Sequence, residues 1–343
     1  MVLVAAAATG HDEVLRNKSM SSSSGSGWAE KAGEGQTKSF AFAHFFTRAS
    51  EVQLEMAVDW FTPSAFDWSD APPLSSFEAV ATASVLYVVG VVLTTAVSRA
   101  LIPANPAGKN SQGASSTTDL QWQPWFNSDL KQVQFVHNVN LVGSSAVMLG
   151  GVILESIRRI QAEGGVSWPP FLLCEVADGV SASGSLYYWS YIYYLSKYYE
   201  LLDTILQRAR GKPPPHFVLH VYHHAAVLFM AWAWVEYKQS LHFIGLAWNT
   251  AVHVVMYTYF LQRTITRKVP RWKSFVTLFQ IIQFAFSMVA TVVTLYIVFV
   301  QKYECSGMNS LFGNVLFNIT LLYSFIQVFL QGKRKKAGTK KKK

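Results

Sequence analysis

From residue 79 to residue 331 the chain repeats one pattern, a long apolar run followed by a short polar break. A helix of about 20 apolar residues crosses roughly 30 Å of hydrocarbon. The runs predict seven membrane spans, at 79–101, 133–157, 184–207, 216–235, 241–261, 274–299 and 311–331. The second and third are impure: "FVHNVNLVGSSAVML" carries polar groups, and "SLYYWSYIYYLSKYYELLDTIL" holds a lysine and two carboxylates. Ionisable groups at that depth face an internal cavity rather than lipid.

Polar positions inside the later spans recur at helical spacing, so each span carries one polar line on an apolar body. In "LSKYYELLDT" the line is Lys197, Glu200 and Asp203 with Thr204, and in "LHVYHHAAVL" it is His220, His223 and His224. "WNTAVHVVMYTYF" gives Asn249, His253 and Tyr257, and "VTLFQIIQF" gives Thr277, Gln280 and Gln283. Singly, each line could serve as interhelical glue. Together they describe a cavity with a reactive polar centre and apolar walls, suited to a substrate with one reactive end and a long hydrocarbon chain. Unpartnered carboxylates would be costly there. A facing stripe of histidines supplies partners, and the carboxylates in turn fix imidazole tautomers.

Composition agrees with a membrane protein: 51% of residues are apolar and only 14% charged, against about 25% charged in ordinary globular domains. Residues 1–76 are different, rich in Ala, Ser and Gly with a "SSSSGSG" core. They read as a disordered or weakly structured tail with one surface helix over 38–60. "MVLVAAAATGHDE" has no basic n-region, so targeting falls to the first span. Asn17 lies in an "NKS" acceptor sequence.

The net charge of +9 is unevenly placed. Alternate loops hold Lys109 and Lys131, then Arg208, Arg210 and Lys212, then Arg263, Arg267, Lys268, Arg271 and Lys273, and finally the 333–343 tail. The intervening loops hold only Arg158, Arg159, Lys238 and Lys302. The positive-inside rule puts the first set, and the C-terminus, in the cytosol. Nothing beside the basic tail resembles a nucleic-acid module, so no nucleic-acid partner is expected; attraction to anionic lipid is the plainer reading. The tail also ends "GTKKKK", similar to a dilysine retrieval signal of the endoplasmic reticulum. The two cysteines, Cys174 and Cys305, fall in loops on the non-cytosolic, oxidising side, which predicts a disulfide, with two free thiols as the alternative.

The four polar lines, in this order and spacing, resemble the ELO family of fatty acid elongases. Its K-x-x-E-x-x-D-T corresponds to Lys197–Thr204, H-x-x-H-H to His220–His224, H-x-x-M-Y to His253–Tyr257 and T-x-x-Q-x-x-Q to Thr277–Gln283. "FVHN" at 135–138 resembles a further motif of some members, while Phe260 stands where many have tyrosine. The resemblance implies an all-α integral membrane protein of the endoplasmic reticulum, with spans 2–7 enclosing an acyl-chain tunnel and span 1 outside. Residues 77–332 would be the catalytic domain. The implied activity is a very-long-chain 3-oxoacyl-CoA synthase, condensing a saturated or monounsaturated acyl-CoA with malonyl-CoA.

On that reading His223 is the nucleophile, His220 and His224 orient it or donate to the thioester carbonyl, and His253 stabilises the malonyl-derived enolate. Glu200 and Asp203 polarise the histidines, with Lys197 and Tyr257 beside them, and Asn249, Gln280 and Gln283 position substrate. Lys212 and Arg271, with neighbouring arginines, meet the CoA phosphates. CoA thioesters are substrates, and neither cofactor nor metal is expected. Partners are membrane lipid, the reductases and dehydratase that complete an elongation cycle, and a second copy in a homodimer. Two other classes compete. A membrane di-iron desaturase or hydroxylase also uses H-x-x-H-H, because imidazole is a good iron ligand, but this chain has one such box and otherwise scattered histidines. A transporter would show inverted repeats, and no clear repeat is present.

Overall fold

The computed structural model describes residues 61–101, 129–209 and 216–340. Predictions that fall on residues 1–60, 102–128, 210–215 and 341–343 lie outside these, among them the 38–60 helix, Asn17, Lys109, Arg210 and Lys212. The described residues form helices and no named strand. The α-helices are α1 (Phe77–Leu101), α2 (Asp129–Ala162), α3 (Gly184–Glu200), α4 (Leu202–Ala209), α5 (Phe217–Glu236), α6 (His242–Thr266), α7 (Lys273–Phe299) and α8 (Met308–Lys340). Each apolar run of the sequence is therefore helical, the third as two helices, α3 and α4.

Among the described residues five helices are long and apolar enough to cross a membrane: α1, α2, α5, α7 and α8. The other two runs, α3 and α6, contain the tyrosine-rich segment with Lys197 and Glu200 and the segment with His242, Asn249 and His253. α3 has only 17 residues before its break at Leu201, and in α6 the polar line lowers the mean hydropathy of a helix whose buried face points inward.

The third apolar run is not one continuous helix. α3 ends at Glu200 and α4 starts at Leu202; between them the Leu201 amide bonds back to the Tyr198 carbonyl. This tightened turn divides the K-x-x-E-x-x-D-T segment, with Lys197 and Glu200 before it and Asp203 and Thr204 after. Two segments flank this core. Within residues 61–76 Phe66 is buried and stacks on Tyr191, and a 3-10 turn at Trp68–Asp70 lets Trp68 donate from Nε1 to Glu236. At the other end α8 runs on through 340.

Neighbouring helices close a ring in the order α2, α3, α5, α8, α7, α6 and back to α2, while α1 packs on α5 from outside. Close approach of α2 and α3 depends on Gly151, where an added Cβ would sit 2.1 Å from the Trp189 ring. Consecutive ring helices run in opposite directions, so the starts of α2, α5 and α7 and the ends of α4, α6 and α8 gather at one face. That face carries the basic loops.

The opposite face is tied by loops. Cys174 and Cys305 form a disulfide, with Cα atoms 5.1 Å apart, joining the α2–α3 and α7–α8 connections as expected. Around it, Ala177 N–H donates to the Glu304 carbonyl and Ser306 N–H to that of Glu175, while Arg159 holds Glu175 through paired contacts of 2.6 and 2.9 Å. Gly307 has φ +69°, and an added Cβ would lie 2.4 Å from the Gln239 Cα, so glycine alone lets the α7–α8 loop lie on the α5–α6 loop.

Gly307→Ala is expected to lower stability by at least about 1 kcal/mol, read as a lower thermal midpoint in detergent with the disulfide intact. Alkylation of the unreduced protein should modify neither Cys174 nor Cys305, and reduction should expose both, as mass spectrometry will register.

Candidate active site

The ring encloses a cavity of about 640 Å³. Its wall takes residues from every ring helix and from α4. At the basic face it is bounded by Lys131, Gln207, His216, Arg263 and Arg267, and at its deepest level by Glu200, His224, Asn249 and Gln283. Beyond Asn249 the side chains of Tyr187, Trp234, Phe243 and Leu246 belong to the packed core. The described cavity thus occupies the half of the ring nearest the basic face.

On α5 the i, i+3, i+4 spacing delivers His220, His223 and His224 to this wall. The His223 ring lies parallel to Phe317, 6.2 Å away, and the His220 and His224 rings are 4.4 Å apart. His220 Nε2 is 2.8 Å from Thr204 Oγ1. The Nδ1 atoms of His223 and His224 are sealed from solvent without a hydrogen-bond partner.

Across the cavity Glu200 is the hub. Its Oε1 accepts from Lys197 Nζ at 2.7 Å and lies 3.4 Å from His253 Nδ1. The carboxylate favours a proton on His253 Nδ1 and leaves Nε2 toward the cavity. Lys197 is 1% exposed and sits behind the wall; it also reaches Asn249 Oδ1 at 3.3 Å and lies 4.0 Å from the centre of the Tyr193 ring. Tyr193 donates to the same Asn249 oxygen at 2.9 Å, so that oxygen is saturated and the amide NH₂ is left as a donor for the cavity.

Asp203, beyond the Leu201 turn, faces a different set. Its two oxygens meet His137 Nε2 and the Tyr257 hydroxyl, each at 2.9 Å. Gln283 is 8% exposed with no hydrogen bond to protein among the described residues, and Gln280 contacts only the Met256 sulfur, at 3.6 Å. Both amides line the cavity.

The sequence-derived set is therefore brought together with few exceptions. His220, His223, His224, His253, Glu200, Asp203, Asn249, Tyr257, Gln280 and Gln283 all line one cavity. Thr277 does not, and Arg271 is exposed at the loop before α7, outside the wall. Arg271 stands just before the start of α7, exposed at the basic face, whereas Arg263 and Arg267 continue the inward stripe of α6. Not read as site residues were Lys131, counted only as a loop charge, Asn138, noted only within FVHN, and Gln134, which together form an i, i+3, i+7 line on α2 whose spacing was the available signal. Tyr193 was missed too, although it stands four residues before Lys197. Tyr87 on α1, bonded to Thr204, carried no signal, because it lies alone in an apolar span.

Comparison with known proteins supplies the lineage. The ELO model, described as the GNS1/SUR4 family, matches residues 72–342. The chain belongs to the ELO family. Among its relatives, a Dictyostelium discoideum protein named for fatty acid elongation is 37% identical over 203 residues, covering 59% of this chain and 66% of that one. Fatty acid elongase sre1 of the same organism is 33% identical, covering 67% of this chain and 74% of the relative. Very long chain fatty acid elongase 5 of Mus musculus is 30% identical over 44% of this chain and 50% of its own length. The aligned stretch thus spans between half and three quarters of these relatives.

The ELO-family motifs meet here through buried charge, which gives a stability test. Lys197→Met leaves Glu200 buried without its cation and should cost about 3–5 kcal/mol. The double variant Lys197→Met/Glu200→Gln should recover most of the loss, measured as thermal midpoints in one detergent.

Proposed function

We propose that this chain catalyses the condensing step of fatty acid elongation, joining a long-chain acyl-CoA to malonyl-CoA as a very-long-chain 3-oxoacyl-CoA synthase. The observation that carries the reading is the convergence of the four ELO motifs, from five helices, on one cavity whose open end is basic. CoA is a polyanion, and Lys131, Arg263 and Arg267 stand where its phosphates would approach.

His223 Nε2 attacks the acyl thioester carbonyl. The C–S bond breaks, CoA leaves as the thiol with the proton shed by the imidazole, and an acyl-imidazole remains. Malonyl-CoA then loses carbon dioxide to give an enolate, whose oxygen needs a donor in a water-poor site. The free amides of Asn249 and Gln283 are neutral donors in reach of the cavity, and His253, held through Nδ1 by Glu200, donates from Nε2 in its imidazolium form. The enolate carbon attacks the acyl-imidazole, the C–N bond breaks, and the imidazole takes up a proton. The product is a 3-oxoacyl-CoA two carbons longer than the acyl substrate.

Cysteine, the other natural acyl acceptor, is committed to the disulfide at the far face. Iron chemistry would need several ligands converging on one point, and among the described residues no three His, Cys, Asp or Glu side chains do so. An endoplasmic-reticulum location with the C-terminus in the cytosol, and association with the reductases and dehydratase of the cycle, complete the proposal. Saturated or monounsaturated acyl chains are the proposed substrates.

Membranes containing the protein, given labelled malonyl-CoA and a panel of acyl-CoAs without NADPH or oxygen, should form labelled 3-oxo product. His223→Ala should abolish it. Absence of label, with oxygen-dependent loss of hydrogen from the acyl chain, would replace the proposal by the iron-dependent reading.

A further inference from the structure

The helix outside the ring reaches the histidine box. Tyr87, midway along α1, places its hydroxyl 2.8 Å from Thr204 Oγ1, and the same Thr204 oxygen is 2.8 Å from His220 Nε2. The Tyr87 ring also lies 6.2 Å from that of His224. α1 is fixed against α5 by Phe77 on Phe229 and Trp232 and by Ser84 donating to the Ala225 carbonyl, so the contact is not a grazing one.

The three polar groups carry a limited number of protons, and only one arrangement satisfies them all. Thr204 is 1% exposed, and Tyr87 has no other hydrogen-bond partner among the described residues. If His220 Nε2–H donated to Thr204 and Thr204 donated to Tyr87, the phenol proton would be left without an acceptor among the described residues. If Tyr87 and His220 both donated to Thr204, the buried threonine proton would be stranded instead. Unmade donors are disfavoured in such surroundings. The remaining direction runs from the Tyr87 O–H to Thr204 and from the Thr204 O–H to His220 Nε2, which must then be the acceptor. The single proton of the neutral ring therefore sits on Nδ1. His220 lines the cavity, and its Nδ1 has no protein partner and is not among the sealed atoms.

We propose that Tyr87 is a positioning residue for the reaction: acting through Thr204, it locks His220 in the Nδ1–H tautomer, so that His220 donates a hydrogen bond into the cavity to the substrate's thioester carbonyl oxygen. The catalytic contribution of the peripheral helix rests on the condensing function proposed above; the tautomer does not. α1 is then part of the active site rather than only a membrane anchor.

The test uses the full chain in membranes or nanodiscs. Tyr87→Phe removes one oxygen and leaves the packing volume. It should lower kcat for condensation by about tenfold with acyl-CoA KM unchanged, while Thr204→Val, which removes the direct bond, should lower it by about 10²-fold, the scale of one lost transition-state donor. The double variant should be no slower than Thr204→Val, because Tyr87 acts only through Thr204. Wild-type kcat in Tyr87→Phe, or losses that multiply in the double variant, would overturn the relay. A second readout is independent of activity: solid-state NMR of protein labelled with ¹⁵N-histidine, with His220 assigned by its loss in His220→Gln. The expected spectrum has the proton on Nδ1 in the wild type and a gain of Nε2–H in Tyr87→Phe. A wild-type proton on Nε2 would sink the proposal whatever the reaction, whereas a proton on Nδ1 in a protein that forms no 3-oxo product would reject the condensing function and keep the relay.

Discussion

Lys197 and Glu200 are 1% and 2% exposed, and they touch at 2.7 Å inside a ring of apolar helices. Neither charge is tolerable there alone, because desolvating an ion costs several kcal/mol and only a close partner with further hydrogen bonds offsets it. The rest of the interior is arranged around that requirement. Asn249 and the Tyr193 ring complete the shell of the lysine; His253 completes that of the glutamate. Three helices, α3, α6 and α5 through the Trp234 ring stacked on Tyr193, are thereby held in register.

The turn at Leu201 gives the neighbouring carboxylate a separate task. Asp203 binds His137 of α2 and Tyr257 of α6 at once, clamping across the seam where the ring closes. Glu200 and Asp203 are three residues apart in one motif yet serve different neighbours. A continuous helix would have kept them on nearly one face, and the inserted turn separates their environments. Polar satisfaction in an apolar medium therefore builds the site and the bundle together, since the hydrogen bonds that orient Asn249, Tyr257 and His220 each also join two helices.

The two ends of the ring divide the work. The disulfide face is closed by a covalent link, backbone hydrogen bonds and the Arg159–Glu175 pair, which fix how α2, α3, α7 and α8 leave the bundle. The basic face bounds the open side of the cavity, and there Asn138 of α2 donates to Thr264 of α6 at 3.2 Å.

Much of this was legible in the sequence. Apolar length predicted the helices, because the length of hydrocarbon to be crossed leaves little choice. Spacing put each polar line on one helix face, and the alternation of basic loops placed Cys174 and Cys305 on one side, where they are found bonded. What spacing cannot give is the relation between helices. That Arg271 lies outside while Lys131 lies within, that residues 61–76 pack on α3, and that a lone tyrosine of the outermost span meets the histidine box all depend on how helices rotate and neighbour one another. Those choices are made by side-chain packing across the whole ring, where contacts join residues far apart in the chain. A one-dimensional pattern records which face of a helix is polar; only the assembled bundle decides which face of which neighbour it meets.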